Sequence, residues 1–396
     1  MLALLKNMNK YVIMDKNRFY NKNEKVQTMK NPITVCFCVF MSISTIALST
    51  FGAGCGTKKL TITSPTGEVV PYIEQAKQYL LQSRGDDVSQ YCGSHGSIKN
   101  PQTPIVVEWT CEAKDAIRYK VEYATNADYT NALYQTVRGE TRAELYNLFK
   151  GMEYHLRVTA YSKNNKVVSV GESTFNTTDL GPRVMNIDGL HNVRDVGGYT
   201  TVSGKRTVQG LLYRGGTLMS LDGYESELTA DGADYMRKVL GIKTDADLRT
   251  QTETGYTESP IPAAELRYFG LGGYTDMLNA SVKPLFQMLA DKNSYPIYLH
   301  CTGGADRTGT ATFLINALLG VDEKMLIQDY EFTSFSLYGM RNTQKGEYAS
   351  MFQDFLSKLK AFEGESLQQK TENFLLSIGV TIEEIESIKA IMYGEK

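Results

Sequence analysis

Between residues 105 and 177 the chain alternates apolar and polar side chains with a period of two. The runs are Ile105-Val106-Val107-Glu108-Trp109, Tyr119-Lys120-Val121-Glu122-Tyr123, Ala143-Glu144-Leu145-Tyr146, Tyr154-His155-Leu156-Arg157-Val158-Thr159-Ala160-Tyr161 and Gly171-Glu172-Ser173-Thr174-Phe175, with polar turns between them. Short, evenly spaced strands without helical periods predict an antiparallel β-sandwich over 101–179. After Asp179-Leu180-Gly181-Pro182 strand and helix signals alternate. Helical periods fall at 230–240, 283–290, 307–319, 323–333, 347–359, 372–378 and 382–392, with Gly320 and Gly379 placed to stop two of them. This half predicts an α/β domain over 180–396 with a central, mostly parallel sheet flanked by helices, so the chain is multidomain. Residues 55–100 are mixed: a strand signal at 60–62, a turn at Pro65-Thr66-Gly67, a short helix over 73–81 and a Gly/Ser-rich stretch. They read as an anchor and linker segment.

The N-terminus has another pattern. Lys25 and Lys30 precede an uncharged stretch, 31–54, whose centre is apolar, followed by Gly52-Ala53-Gly54-Cys55. A cationic start, an apolar centre and a small-residue exit form a secretory signal peptide, and Met29 is a better-placed start than Met1. Residues 1–54 are therefore read as an upstream extension plus signal. The exit resembles a bacterial lipoprotein box, with Gly52 where Leu is usual. That resemblance implies lipid on Cys55 and a membrane-anchored, exported protein, or plain secretion if Cys55 is unmodified.

Charge and cysteine usage narrow the picture. The 396 residues carry a formal net charge of −2, and residues 1–54 hold seven Lys/Arg against two Asp/Glu, so the remainder is acidic. A nucleic-acid partner is excluded as the main one, because neutralising phosphates needs clustered cations. Six Cys are too few for a disulfide scaffold. Cys36 and Cys38 fall in the signal. Cys92 and Cys111 can pair in an oxidising compartment, the alternative being that Cys111 is a buried small hydrophobe on a strand. Cys301 is left over, which makes it the thiol to examine for reactivity.

Cys301 follows the apolar strand Pro296-Ile297-Tyr298-Leu299-His300 and opens Cys301-Thr302-Gly303-Gly304-Ala305-Asp306-Arg307-Thr308-Gly309, after which a helix begins. A loop of this length between strand and helix can turn successive N–H groups inward as an anion nest, with Arg307 closing over the bound group. Gly303 and Gly304 permit the tight turn. A thiol facing a helix N-terminus, Arg307 and several amides is in surroundings that favour the nucleophilic thiolate. Residues 302–307 thus form a phosphate cradle around Cys301.

His300-Cys301 with Arg307-Thr308-Gly309 in this context resembles the signature of the Cys-based tyrosine and dual-specificity phosphatases. Asn192-Val193-Arg194-Asp195-Val196-Gly197-Gly198-Tyr199, Gly210-Leu211-Leu212-Tyr213-Arg214 and Asp247-Leu248-Arg249 with Glu253 extend the resemblance to their bacterial secreted branch, over about 185–392. The resemblance implies a phosphocysteine on Cys301, phosphate held by Arg307 and the loop amides, Thr308 donating to the sulfur, and no metal or cofactor. It implies an orienting role for His300 and pocket or structural roles for Asn192, Arg194 and Asp195. The single Trp109 lies in the sandwich, so no Trp-Pro-Asp loop can supply the general acid. The branch offers Asp306 in the loop, preferred for proximity, or Asp247, whose alternative is an ion pair with Arg194 or Arg249. Residues ~100–178, through Trp109, Leu148 and Tyr154, resemble a fibronectin type III domain with a ligand of its own. Ala305 stands where phosphoinositide-directed members carry Lys, which favours phosphotyrosine or another single phosphomonoester. Tyr268, Phe269 and Tyr274 either line an aromatic pocket or pack in the core. Two further readings stay open: a phosphoinositide or inositol-phosphate phosphatase, and a surface adhesion protein on a non-catalytic phosphatase fold.

Overall fold

In the computed structural model, which describes residues 58–82, 87–93, 97–220 and 226–395, the two-residue alternation becomes two sheets. Their strands are β1 (Leu60–Ser64), β2 (Glu68–Val69), β3 (Ile105–Cys111), β4 (Arg118–Ala124), β5 (Leu133–Arg138), β6 (Arg142–Leu145), β7 (Glu153–Tyr161) and β8 (Val167–Thr177). One sheet runs β1-β3-β6 and the other β2-β8-β7-β4-β5, antiparallel except where β2 joins β8. Alternation buries Ile105, Val107 and Trp109 on β3 and leaves Glu108 and Thr110 outside. These side chains share one cluster with Tyr119, Val121, Leu156, Val158 and Phe175 of the other sheet. Trp109 meets Tyr119 edge to face, ring centres 5.1 Å apart.

The segment read as a linker is built into the fold. It supplies β1 and β2 to the two sheets, so the sheet region starts well before residue 101. Its helix α1 (Glu74–Leu81) buries Ala76, Tyr79 and Leu80. That face packs with Val88, Cys92, Val184, Phe332 and Phe335, in a cluster that joins it to the C-terminal half. Of the two readings of Cys111, the pairing with Cys92 is not formed, both being free thiols, and Cys111 sits on β3 half-buried against the core. The physical reason is that they belong to different cores, Cys92 to the α1 cluster and Cys111 to the cluster between the two N-terminal sheets. Cys55 and the signal region lie outside the described residues.

In the C-terminal half, β9 (Arg194–Asp195), β10 (Leu212–Gly215), β11 (Thr244–Asp247), β12 (Glu265–Tyr268) and β13 (Ile297–His300) form a sheet in the order β12-β11-β13-β10-β9. All pairings are parallel but the last. Around it lie α2 (Ala230–Lys238), α3 (Gln251–Thr254), α4 (Lys283–Ala290), α5 (Arg307–Leu318), α6 (Glu323–Glu331), α7 (Glu347–Lys360), α8 (Leu367–Ser377) and α9 (Ile382–Tyr393). α8 begins five residues before its apolar period, because Ser366 caps Gln369 N–H and starts the helix on a polar turn. Every residue of α5 from Thr308 to Leu318 is buried. This helix is thus the central post of the domain, against the sheet and against α6 and α8. Register sets Gly215 and Asp247 on either side of His300, at the carboxyl edge of the sheet where ligands of parallel sheets bind.

Trp109→Ala is expected to cost about 3–5 kcal/mol, read by urea unfolding followed by circular dichroism. A loss below about 1 kcal/mol would show that Trp109 does not anchor the two sheets.

Candidate active site

The loop from Cys301 to Arg307 is shaped by what holds its carbonyl oxygens. Thr217 N–H donates to Thr302 O at 2.9 Å, Asn192 Nδ2 to Gly303 O at 3.0 Å and Gly304 O at 3.2 Å, and Arg214 Nη2 to Gly304 O at 2.6 Å. In a planar trans peptide the next N–H points opposite to the carbonyl. Clamping three successive carbonyls outward therefore turns the amides of Gly303, Gly304 and Ala305 into the hollow of the loop, which is the nest the sequence predicts. Gly304 has φ +64°, and a Cβ there would lie 2.1 Å from Gly215 O, so only glycine fits this crossing.

The clamps are themselves held by one buried carboxylate. Asp329 on α6 accepts from Arg194 Nε at 2.8 Å and Arg214 Nη1 at 2.7 Å, and Arg194 Nη1 donates to Asn192 Oδ1 at 2.6 Å. Burial pushes the Asp329 carboxyl up, but Arg194 and Arg214 outweigh it and hold it below the usual carboxylate range. Asn192 and Arg194 thus serve the loop from behind. Asp195 does not reach it. It accepts from Arg183 Nη1 at 2.9 Å and from the amides of Gly197 and Gly210, while Arg183 also donates to the carbonyls of Asn147 and Leu148 in the sandwich. Asp195 ties the two halves together, a structural role.

Cys301 is buried at the floor of the loop. Thr308 Oγ1, in the first turn of α5, is buried and has no hydrogen-bond partner among the described residues. A buried hydroxyl without a partner is costly, and a donor at this place suits the sulfur or an anion above it. His300 points beneath the loop, its Nε2 2.7 Å from Asp245 Oδ1 and 3.9 Å from Asp247 Oδ2. Burial lowers its affinity for a proton, but Asp247 and Asp245 overcome that and raise its pKa above the ordinary 6.5. Asp247 is itself gripped by Arg249, Nε to Oδ1 at 2.9 Å and Nη2 to Oδ2 at 2.7 Å. Burial pushes the Asp247 carboxyl up, yet His300 and Arg249 together hold it below the usual range.

On the open side of the loop two side chains are occupied by partners. Arg307 Nη1 donates to Glu253 Oε1 at 2.9 Å, and Glu253 also closes a capping box with Thr250 at the start of α3. Asp306 accepts from Arg341 through a fork, Nε to Oδ1 at 2.7 Å and Nη2 to Oδ2 at 2.9 Å, and from the Tyr274 hydroxyl, which touches Tyr330. Tyr268 is used instead in a bond with Thr254. The structure therefore brings together Cys301, Thr302, Gly303, Gly304, Ala305, Asp306, Arg307 and Thr308, with Asn192, Arg194 and His300 behind them. The residues that sequence reasoning passed over are Asp245, Asp329 and Arg341. Asp245 sits two places before Asp247 on one strand face, a visible signal. Asp329 and Arg341 lie on an ordinary amphipathic helix and a loop, with no signal in spacing.

Asp329→Ala leaves two buried guanidinium groups uncompensated and is expected to destabilise the domain by about 3–5 kcal/mol, checked by chemical denaturation. His300 has a raised folded pKa, so its contribution is fully present below the ordinary 6.5 and is lost as pH rises through the folded value. Stability should therefore fall as pH rises above the ordinary 6.5 more steeply in the native chain than in His300→Gln. Parallel stability curves for the two would overturn the assignment.

A tyrosine-protein phosphatase of Cupriavidus necator, provisionally assigned as such, is 26% identical over 181 residues, 38% of this chain and 63% of the relative. The chain thus spans a little under two thirds of that relative's length. Among solved structures, the core catalytic domain of the PP-IP phosphatase Siw14 from S. cerevisiae aligns with 48% of this chain and 97% of its own, at 15% identity and a TM-score of 0.28. Fibronectin(III)-like modules of CbhA from Clostridium thermocellum align with 30% of this chain and 98% of theirs, at 11% identity and a TM-score of 0.18. Residues 185–392, more than half of the chain, match the tyrosine phosphatase family, and the chain belongs to that family.

Proposed function

We propose that this protein is an exported phosphomonoester hydrolase acting on phosphotyrosine. The observation that carries the reading is the loop whose carbonyls are clamped outward around a buried Cys301. In the first step the Cys301 sulfur attacks phosphorus in line, the S–P bond forms, the P–O bond to the leaving group breaks, and the leaving oxygen takes a proton from Asp306. In the second, water attacks the phosphocysteine, passes a proton back to Asp306, and releases phosphate and thiolate. The inward amides and Arg307, once it has exchanged Glu253 for the substrate, stabilise the equatorial oxygens. Thr308 donates to the departing sulfur. Asp306 is favoured over Asp247 as the proton donor because it lies in the loop itself with about one third of its side chain exposed, whereas Asp247 is buried in its pair with Arg249. Ala305 offers no cation, and the charge of nearby Arg341 is taken up by Asp306, so the site suits one phosphate rather than a crowded inositol headgroup.

The two sheets over residues 60–177 support a fibronectin type III-like module as spacer or ligand-binding unit, and the small residues before Cys55 support a lipid anchor at a bacterial surface. Cys301→Ser is expected to lower kcat on an aryl phosphate by at least about 10³-fold; an unchanged rate would leave the fold as a scaffold. A phosphotyrosine peptide should be turned over faster than phosphoinositides or inositol hexakisphosphate, and the reverse preference would overturn the substrate assignment.

A further inference from the structure

Residues 331–345, from the end of α6 towards α7, form a wall beside the phosphate loop. Tyr338 on this wall lies against Gly303, and Arg341 grips Asp306 while stacking on Tyr348, 3.8 Å from guanidinium to ring centre. The wall is pinned from far upstream. Asp87 accepts from Asn342 Nδ2 and from Lys345 Nζ at 2.8 Å. Glu331 accepts from the Tyr79 hydroxyl and, through its other oxygen, from Thr343 N–H at 2.8 Å and Thr343 Oγ1 at 2.6 Å. Tyr72 and Tyr79 pack on Phe332 and Phe335. Tyr72, Tyr79 and Asp87 all precede the span that matches the family.

We propose that Arg341 is a positioning residue for the Asp306 carboxyl, held in place by Tyr79 and Asp87 of the N-terminal segment. A single bond from Tyr274 fixes one oxygen of Asp306 but leaves the carboxyl free to rotate about it. The two parallel bonds of the guanidinium fork fix its plane. The Asp306 side chain is about one third exposed, so without the fork it has room to turn into solvent. Arg341 can hold that plane only while its own loop is held, and Asn342, Thr343 and Lys345 place it through Asp87 and Glu331. A segment outside the family's span thereby sets the geometry of proton transfer. The proposal rests on Asp306 being the proton-transfer group.

The test is steady-state kinetics of the full chain on 4-nitrophenyl phosphate, which has a good leaving group, and phenyl phosphate, whose poorer leaving group needs the proton. Asp306→Asn serves as the reference. Arg341→Met is expected to lower kcat on phenyl phosphate about 10- to 100-fold and on 4-nitrophenyl phosphate by no more than about 3-fold. The Asp306→Asn/Arg341→Met double variant should be no slower than Asp306→Asn alone. Arg341→Lys keeps the charge without the fork and should show the same split; it carries the test if Arg341→Met does not fold. Asp87→Ala should show the split in smaller degree. Equal losses on both substrates in the Arg341 variants, or multiplying losses in the double variant, would overturn the positioning role. An Asp87→Ala enzyme identical to the native one would overturn the part assigned to the N-terminal segment. If Asp306→Asn itself shows no split, the assignment of the acid fails, and that outcome is read from a different variant.

Discussion

The site depends on Asp329. One buried carboxylate between two buried guanidinium groups fixes the side chains that turn the Gly303 and Gly304 carbonyls of the loop, while Thr217 N–H holds the Thr302 carbonyl, and their orientation decides whether an anion can be held above Cys301. A loop with two adjacent glycines has little preference of its own. Its carbonyls would otherwise turn toward the hollow as readily as away from it. Asn192, steadied by Arg194, and Arg214 impose the choice from two separate segments. The chemistry of the front therefore rests on an ion network at the back. Buried networks of this kind are costly unless every member is paired, and here Asp329 takes both arginines.

A second ionic layer lies beneath the nucleophile. His300 joins Asp245 on one side and faces Asp247 on the other, and Asp247 is neutralised by Arg249. His300, Asp245 and Asp247 come from neighbouring parallel strands, whose register sets their side chains on one face, and Arg249 follows two residues after β11. The sheet does more than support the loop. It delivers, at fixed spacing, the charges that hold the loop's first residue.

Much of this was legible in the sequence, for reasons that differ by element. The strands of the sandwich are half-buried, so alternation exposes them; the surface helices are amphipathic, so their periods show. The loop from Cys301 to Arg307 is legible because its spacing is mechanical. The strand Thr244–Asp247 is buried on both faces although Asp245, Ala246, Asp247 and Leu248 alternate polar and apolar, so its carboxylates look like surface residues until a partner is seen. Arg341 is hidden for another reason. Its role is created by a loop that is shaped through Asn342 and Thr343, contacts that no local pattern records. The Cys92 and Cys111 pairing failed because sequence separation says nothing of which core each thiol enters. The segment 55–100 misled because short elements separated by polar stretches look like a tether, although its strands and helix are completed by partners elsewhere in the chain.

That segment also sets an order of assembly. The strand β1 meets its neighbours on β3 about fifty residues later, and the sandwich can close while the rest of the chain is still being made. The helix α1 waits longer, since the Tyr79 hydroxyl finds Glu331 252 positions downstream. Contacts of such separation form late, because the loop entropy must be met before they return anything. A chain that emerges from the N-terminus therefore carries part of the apolar side of α1 uncovered until Phe332 and Phe335 appear.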